Sequence, residues 1–329
     1  MKEAAYYDKL EDGRAQCRLC PHECWIKEKG FGICRTRRVD GGVLYAVNYA
    51  QVASMAYDPI EKKPLYHFYP GRTIFSMGGN GCNLGCQFCQ NWEISQSEVP
   101  TRRVEPEKAV ELAQQNRSVG IAYTYSEPLV WFEYVLDCAK LAREKGLKNV
   151  LVTNGLINPE PLQALLPWID AFNLDVKSMS EEFYQKICKG PLAPVLHTAE
   201  VASKSCLVEI TNLIIPTLND SDEDFQHLVD WIGEKLGADT PLHFSRYFPH
   251  YRMQINSTPV ETLMRAWEIA KEKLSYVYVG NIMDQASNST YCPHCRHLLI
   301  GRDGYRILKL GFKDGKCESC GQAVRIIGP

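Results

Sequence analysis

No stretch of this chain approaches the roughly 18 or more consecutive apolar residues of a membrane span. The first residues, Met1-Lys2-Glu3-Ala4-Ala5-Tyr6-Tyr7-Asp8, lack the apolar core of a secretory signal. A cytoplasmic location and no membrane partner are expected. An excess of basic charge is missing too: 37 Lys and Arg stand against 39 Asp and Glu, a net charge of −2. Phosphate backbones are bound by basic faces, so a nucleic-acid partner is not expected. There is no low-complexity tract, and no internal repeat beyond an alternation of strand and helix patterns. What remains is 329 residues, 45% hydrophobic and 23% charged, enough for one large core with small appendages.

Cysteine is the residue in excess. The chain has 14, a number suited to oxidised secreted proteins, yet no export signal accompanies them. Grouping resolves the conflict. Eleven fall in three tight sets: Cys17, Cys20, Cys24 and Cys34; then Cys82, Cys86 and Cys89; then Cys292, Cys295, Cys317 and Cys320. Such sets indicate metal in a reducing cytoplasm. Cys138, Cys188 and Cys206 stand apart and read as buried structural thiols.

The middle set carries the most information. Gly81-Cys82-Asn83-Leu84-Gly85-Cys86-Gln87-Phe88-Cys89 packs three thiolates into one short loop. Thiolates hold iron–sulfur clusters, and a cubane has four irons. Three ligands leave one iron open, which suits a catalytic cluster better than an electron carrier. The Cys-x3-Cys-x2-Cys spacing, with Phe88 before the third cysteine, resembles the signature of radical S-adenosylmethionine (SAM) enzymes. The resemblance implies a [4Fe–4S] cluster whose open iron chelates the amino and carboxylate groups of SAM. It implies one-electron cleavage of the sulfonium to a 5′-deoxyadenosyl radical, and hydrogen abstraction from substrate. An oxidoreductase working at low oxygen, fed by a reductant such as flavodoxin or ferredoxin, follows from it.

From about residue 73 to residue 280, short β-branched runs alternate with longer amphipathic ones. Strands are expected at 73–79, 120–125, 149–154, 171–177, 206–215, 242–248 and 276–280. Helices are expected at 106–116, 128–145, 159–166, 180–189, 222–236 and 259–274, several opening on Pro, Ser or Asp. This order predicts an α/β fold, a partial (β/α)6-type TIM barrel, with chemistry on loops after the strands. The cysteine loop follows the first strand directly. Residues 1–72 and 285–329 are poor in apolar residues and rich in cysteine, small segments that metal ligation would stabilise. The expected division is therefore 1–72, 73–284 and 285–329.

Other strand ends bear on the same site. Thr124-Tyr125-Ser126-Glu127-Pro128 stands where radical SAM enzymes carry a Gly-Gly-Glu-like motif. The resemblance gives Glu127 the SAM amino group. A carboxylate before a helix-initiating proline also suits the positive helix N-terminus. Thr153-Asn154-Gly155 and Asp175-Val176-Lys177 resemble segments of pyruvate formate-lyase activating enzymes. Those enzymes place Asp where this chain has Val152. Alternation puts Asp175 and Lys177 on one face, where two charges need each other or a ligand. By resemblance, Lys177 meets the SAM carboxylate and Asp175 orients it or the substrate. Phe88 packs near the adenine, Thr153 and Asn154 join the cofactor site, and Glu209 and Asn212 supply ribose or methionyl contacts. His250 matches a histidine that approaches SAM, and His243 and Arg246 are substrate-side candidates. The catalytic set is Asp175, Lys177 and His250.

Cys292-x2-Cys295 and Cys317-x2-Cys320 form paired knuckles, the pattern of a structural zinc ribbon. Cys17, Cys20, Cys24 and Cys34 are compatible with zinc or an auxiliary [4Fe–4S] cluster, with His22 a substitute ligand. Their spacing departs from the ferredoxin run, which favours zinc. Cys-x2-Cys-Pro-His-x-Cys, Gly30-Phe31-Gly32, Gly79-Asn80-Gly81 and Gln90-Asn91-Trp92 together resemble the radical SAM enzyme of the AmmeMemoRadiSam system. That resemblance implies Memo-like and AMMECR-like partners and an unidentified substrate. The alternatives are a glycyl-radical activase acting on a partner protein's glycine, and a non-catalytic metal-binding scaffold.

Overall fold

The structure is a computed structural model that describes residues 1–328. Its centre is one eight-stranded sheet whose strands lie side by side in chain order. They are β1 (Ser54–Pro59), β2 (Thr73–Gly78), β3 (Gly120–Tyr123), β4 (Lys148–Thr153), β5 (Ala171–Asp175), β6 (Leu207–Ile214), β7 (Leu242–Arg246) and β8 (Val277–Gly280). β2 to β8 run parallel, and β1 pairs antiparallel with β2 along the edge. Among the described residues β1 and β8 do not pair, so the sheet is open. All four residues of β3 are buried, as expected of a parallel strand covered on both faces. Gly120 permits its start: a Cβ there would lie 1.9 Å from the Lys148 carbonyl oxygen.

Each strand expected from the pattern is present, and most are trimmed at the C-terminal end. Thr124-Tyr125, Asn154, Val176-Lys177 and Tyr247-Phe248 leave the ladder and enter the loops beyond it. Helices α1 (Pro106–Gln115), α2 (Phe132–Glu144), α3 (Pro159–Leu165), α4 (Ala193–Ala202), α5 (Asp222–Trp231) and α6 (Val260–Lys271) make the crossovers. α5 begins in a capping box, Ser221 with Asp224, and has three acidic residues in its first turn. α4 was not expected. Its sequence APVLHTAEVA is apolar on more than one side, so no polar stripe marks it. The segment expected as a helix over 180–189 makes one α-turn at Glu181–Phe183 and continues as a π-turn at Tyr184–Cys188. β1 also escaped the sequence reading, lying outside the strand–helix alternation.

The flanking segments are bound to this body by buried polar contacts. Arg37 pairs with Glu133 of α2 at 2.7 Å, both side chains buried, and also donates to the Val130 carbonyl. At the other end, Leu298–Asp303 pairs with Arg306–Leu310 and with Thr290–Tyr291. Arg302 of that sheet is fully buried and donates to Asn288 O, Thr290 Oγ1 and Tyr66 O. Its guanidinium lies 4.2 Å from the Tyr66 ring centroid, a cation–π contact.

Candidate active site

Cys82, Cys86 and Cys89 line one cleft of about 530 Å³ at the C-terminal ends of the strands. The loop that carries them is fixed from both sides. Gly81 (φ +106°) touches the N-terminal segment so closely that a Cβ would sit 2.3 Å from Thr36 Cγ2 and 2.7 Å from the Cys34 carbonyl oxygen. On the other side the Gly85 amide donates to the Cys188 carbonyl, and Gln87 to that of Ile187. Asn154 directs Nδ2 at Cys82 Sγ, 3.5 Å away, and at Asn83 Oδ1, 3.0 Å away. A neighbouring thiol, Cys188, and then burial push the Cys86 thiol well up. Without metal these thiols stay protonated, so ligation and deprotonation go together.

Glu127 stands at the wall of this cleft, buried to 3% exposure. It accepts hydrogen bonds from Thr153 Oγ1 at 2.6 Å, Leu129 N at 2.9 Å and Asn154 N at 2.8 Å. Burial pushes its carboxyl up to about 7 against the pull of those three donors. Tyr125 holds a left-handed φ of 71° two residues earlier, where glycines would sit without strain. Its hydroxyl, donating to Asp58 at 2.6 Å, anchors that conformation. Lys177 Nζ lies 3.2 Å from Asp175 and 5.7 Å from the centre of the Phe88 ring. Burial alone would push Lys177 down, but the Asp175 carboxylate beside it holds it protonated. The cleft thus gathers Phe88, Glu127, Thr153, Asn154, Asp175 and Lys177 around three thiols.

Three candidates are not brought there. Glu209 is fully buried, and its carboxylate accepts from the amides of Tyr66 and His67 and lies 2.6 Å from His243 Nε2. It does not line the cleft; these contacts place it in the core beneath Tyr66 and His67. Asn212 sits between Thr211 and Leu213, which face the cleft, so alternation turns it away, and it donates to the Val176 carbonyl. His250 is exposed on a turn and pairs with Met253. His243 and Arg246 line an adjoining chamber of about 550 Å³, which shares Lys62, Gln90, Thr211 and Ser245 with the cleft. Lys62 and Lys63 were missed by the sequence reading. Both line the cleft and bond Asp58, at 3.0 and 2.7 Å. The only signal was the pair of adjacent lysines before Pro64.

The two four-cysteine sets differ in geometry. Among the described residues, only Cys292, Cys295, Cys317 and Cys320 bring three or more ligand atoms all within 4.8 Å of one another. The Cys292–Cys320 and Cys295–Cys317 sulfurs are 3.6 and 3.7 Å apart. A tetrahedron with metal–sulfur bonds of about 2.3 Å needs edges of about 3.8 Å, so this quartet fits one ion. Arg296 (φ 61°) and Gly321 (φ 73°) follow the knuckles in left-handed conformation and turn the chain back. Cys17, Cys20, Cys24 and Cys34 line a common cavity but do not converge in this way. His22 donates Nε2–H to the Asn83 carbonyl at 2.7 Å, which leaves only Nδ1 for a metal.

Comparison with known proteins agrees with this geometry. Residues 77–232 match the model of the Radical SAM superfamily. An uncharacterized protein of Methanocaldococcus jannaschii is 45% identical over 99% of this chain and 100% of its own length. A pyruvate formate-lyase-activating enzyme of Listeria monocytogenes is 24% identical over 46% of this chain and 66% of its own. Among solved structures, a radical SAM methyltransferase from Sphaerobacter thermophilus superposes with TM-score 0.50 at 15% identity, over 64% of this chain and 67% of that one. At that identity the likeness concerns the fold alone. No helix among the described residues is long and apolar enough to cross a membrane. With the domain match and the thiol loop together, this chain carries a radical SAM superfamily domain over residues 77–232.

Proposed function

We propose that the chain cleaves SAM reductively and uses the resulting 5′-deoxyadenosyl radical to abstract hydrogen from a substrate. The observation that carries this reading is the convergence, in one cleft, of three loop thiols with Glu127 and the Asp175–Lys177 pair. The thiols do not all lie within the 4.8 Å that a single ion would require, and three of them leave a cubane one open iron. A [4Fe–4S] cluster held there would supply the electron for sulfonium cleavage. Lys177 offers a charge-assisted contact to the carboxylate of SAM and Glu127 one to its amino group. Phe88 offers a flat apolar face to the adenine, and Asp175 keeps Lys177 oriented. The expected anaerobic setting and a flavodoxin- or ferredoxin-type donor belong to this reading. So do a structural zinc in the C-terminal quartet, the division at residues 72 and 284, and the (β/α)6 barrel description.

A non-catalytic scaffold would not need buried charges facing its cluster loop, and those charges weigh against it. The substrate separates two enzymatic readings. Motif content across the chain favours the AmmeMemoRadiSam system, with Memo-like and AMMECR-like proteins as partners. The similarity to pyruvate formate-lyase-activating enzymes supports the second, activation of a glycyl-radical protein. Anaerobic reaction with SAM and dithionite, with each candidate protein added in turn, tests them. A glycyl doublet in electron paramagnetic resonance (EPR) would establish the second. SAM leaving the EPR signal of the reduced cluster unchanged would contradict both.

A further inference from the structure

We propose that Cys17, Cys20, Cys24 and Cys34 ligate a second [4Fe–4S] cluster, in place of the zinc that their spacing alone favours. The four thiols line one cavity with apolar walls, Leu19, Ile26 and Val130 among them. No three of them lie within 4.8 Å of one another, in contrast to the C-terminal quartet. In this they match the catalytic loop: four corner irons hold their thiolates further apart than one tetrahedral ion can. A second observation points into the same cavity. Arg37 is 1% exposed and lines it. Two of its guanidinium nitrogens bind Glu133 and Val130, while Nε has no acceptor. A buried N–H without an acceptor is costly, and a cluster sulfide is an acceptor suited to it. The same arginine sets a positive charge beside a site whose four thiolates bring negative charge.

The position gives the cluster its role. The Cys34 carbonyl packs against Gly81, and His22 donates to Asn83, so the quartet meets the chain on both sides of Cys82. With four thiolates no iron is open, which makes it an electron carrier and not a second SAM site. One electron enters from an external one-electron donor protein, taking the cluster from the 2+ to the 1+ state. The electron then passes to the cluster of the catalytic loop, and the first returns to 2+; no atom or proton is transferred. The relay, unlike the metal content, rests on the proposed function of that loop.

Iron, sulfide and zinc analysis of the anaerobically reconstituted full chain tests the proposal. About eight irons and about one zinc per chain are expected, because each cubane holds four irons. About four irons, with either one or two zincs, would overturn it. The Cys20→Ser/Cys24→Ser variant should lose half the iron and keep its zinc; full iron retention would also overturn it. A variant with Cys82, Cys86 and Cys89 all replaced by Ala should keep about four irons and an EPR signal indifferent to SAM. Magnetic splitting in the fully reduced wild type, absent from both variants, reports the adjacency, and its absence would overturn the relay. Should either variant fail to fold, the wild-type metal count still decides the site.

Discussion

His22 Nε2 lies 2.7 Å from the carbonyl oxygen of Asn83, joining the N-terminal cysteine segment to the residue after Cys82. Asn83 completes the link with its side chain, which donates to the Leu156 carbonyl at 2.6 Å and accepts from Asn154 at 3.0 Å. One residue therefore registers the N-terminal segment, the catalytic loop and the end of β4. Replacing His22 by Leu should cost about 1 kcal/mol, the worth of a hydrogen bond, and leave the N-terminal metal content unchanged. Loss of that metal in the folded variant would make His22 a ligand.

Glu127 has a carboxyl pushed up to about 7 by burial. To meet an ammonium it must be ionised, so SAM affinity should weaken as pH falls below about 7 and level off above it. The same shift acts on stability with a fixed sign. An unfolded glutamate ionises near its ordinary value, so the protonated carboxyl stabilises the fold below about pH 4.5, and that contribution is lost as pH rises through about 7. Glu127→Gln should abolish the pH dependence of SAM binding, measured by titration between pH 6 and 8. A variant retaining the wild-type profile would remove Glu127 from the SAM contacts.

Lys177→Met keeps the length and apolar stem of the side chain and deletes its charge. It should preserve the iron content and weaken SAM binding by about 1.5–3 kcal/mol, the worth of one charge-assisted contact. Unchanged affinity would make Lys177 a structural partner of Asp175 only.

Arg302 is the buried tie between the C-terminal sheet and the parallel one. Arg302→Met would strand Tyr66 O and Asn288 O and remove the cation that lies 3.9 Å from buried Glu61. A loss of about 3 kcal/mol or more is expected in chemical denaturation, with the C-terminal metal retained, since no ligand is touched. A loss below 1 kcal/mol would mean that this network does not hold the segment.

Much of this was legible in the sequence for definite reasons. The parallel strands showed as β-branched runs because both of their faces are covered, and the helices showed through their first-turn chemistry. The cysteine sets are dense and local, so spacing alone located them. α4 was hidden because burial on several sides erases its stripe. Glu209 and Thr211 share a strand face, and no sequence pattern tells which depth along the strand meets the cleft and which the core. Lys62 and Lys63 reach the site from the short 3-10 turn that follows the edge strand, outside the repeat. Whether a cysteine quartet converges on one point or opens around a cavity is a property of three dimensions, and it separates the two terminal sets.

The most direct measurement is 5′-deoxyadenosine formation from SAM by the anaerobically reduced protein. The wild-type chain is expected to produce it together with methionine, and Cys86→Ala, lacking one of three loop thiolates, to produce none. Formation by Cys86→Ala at the wild-type rate would contradict the assignment of the catalytic loop.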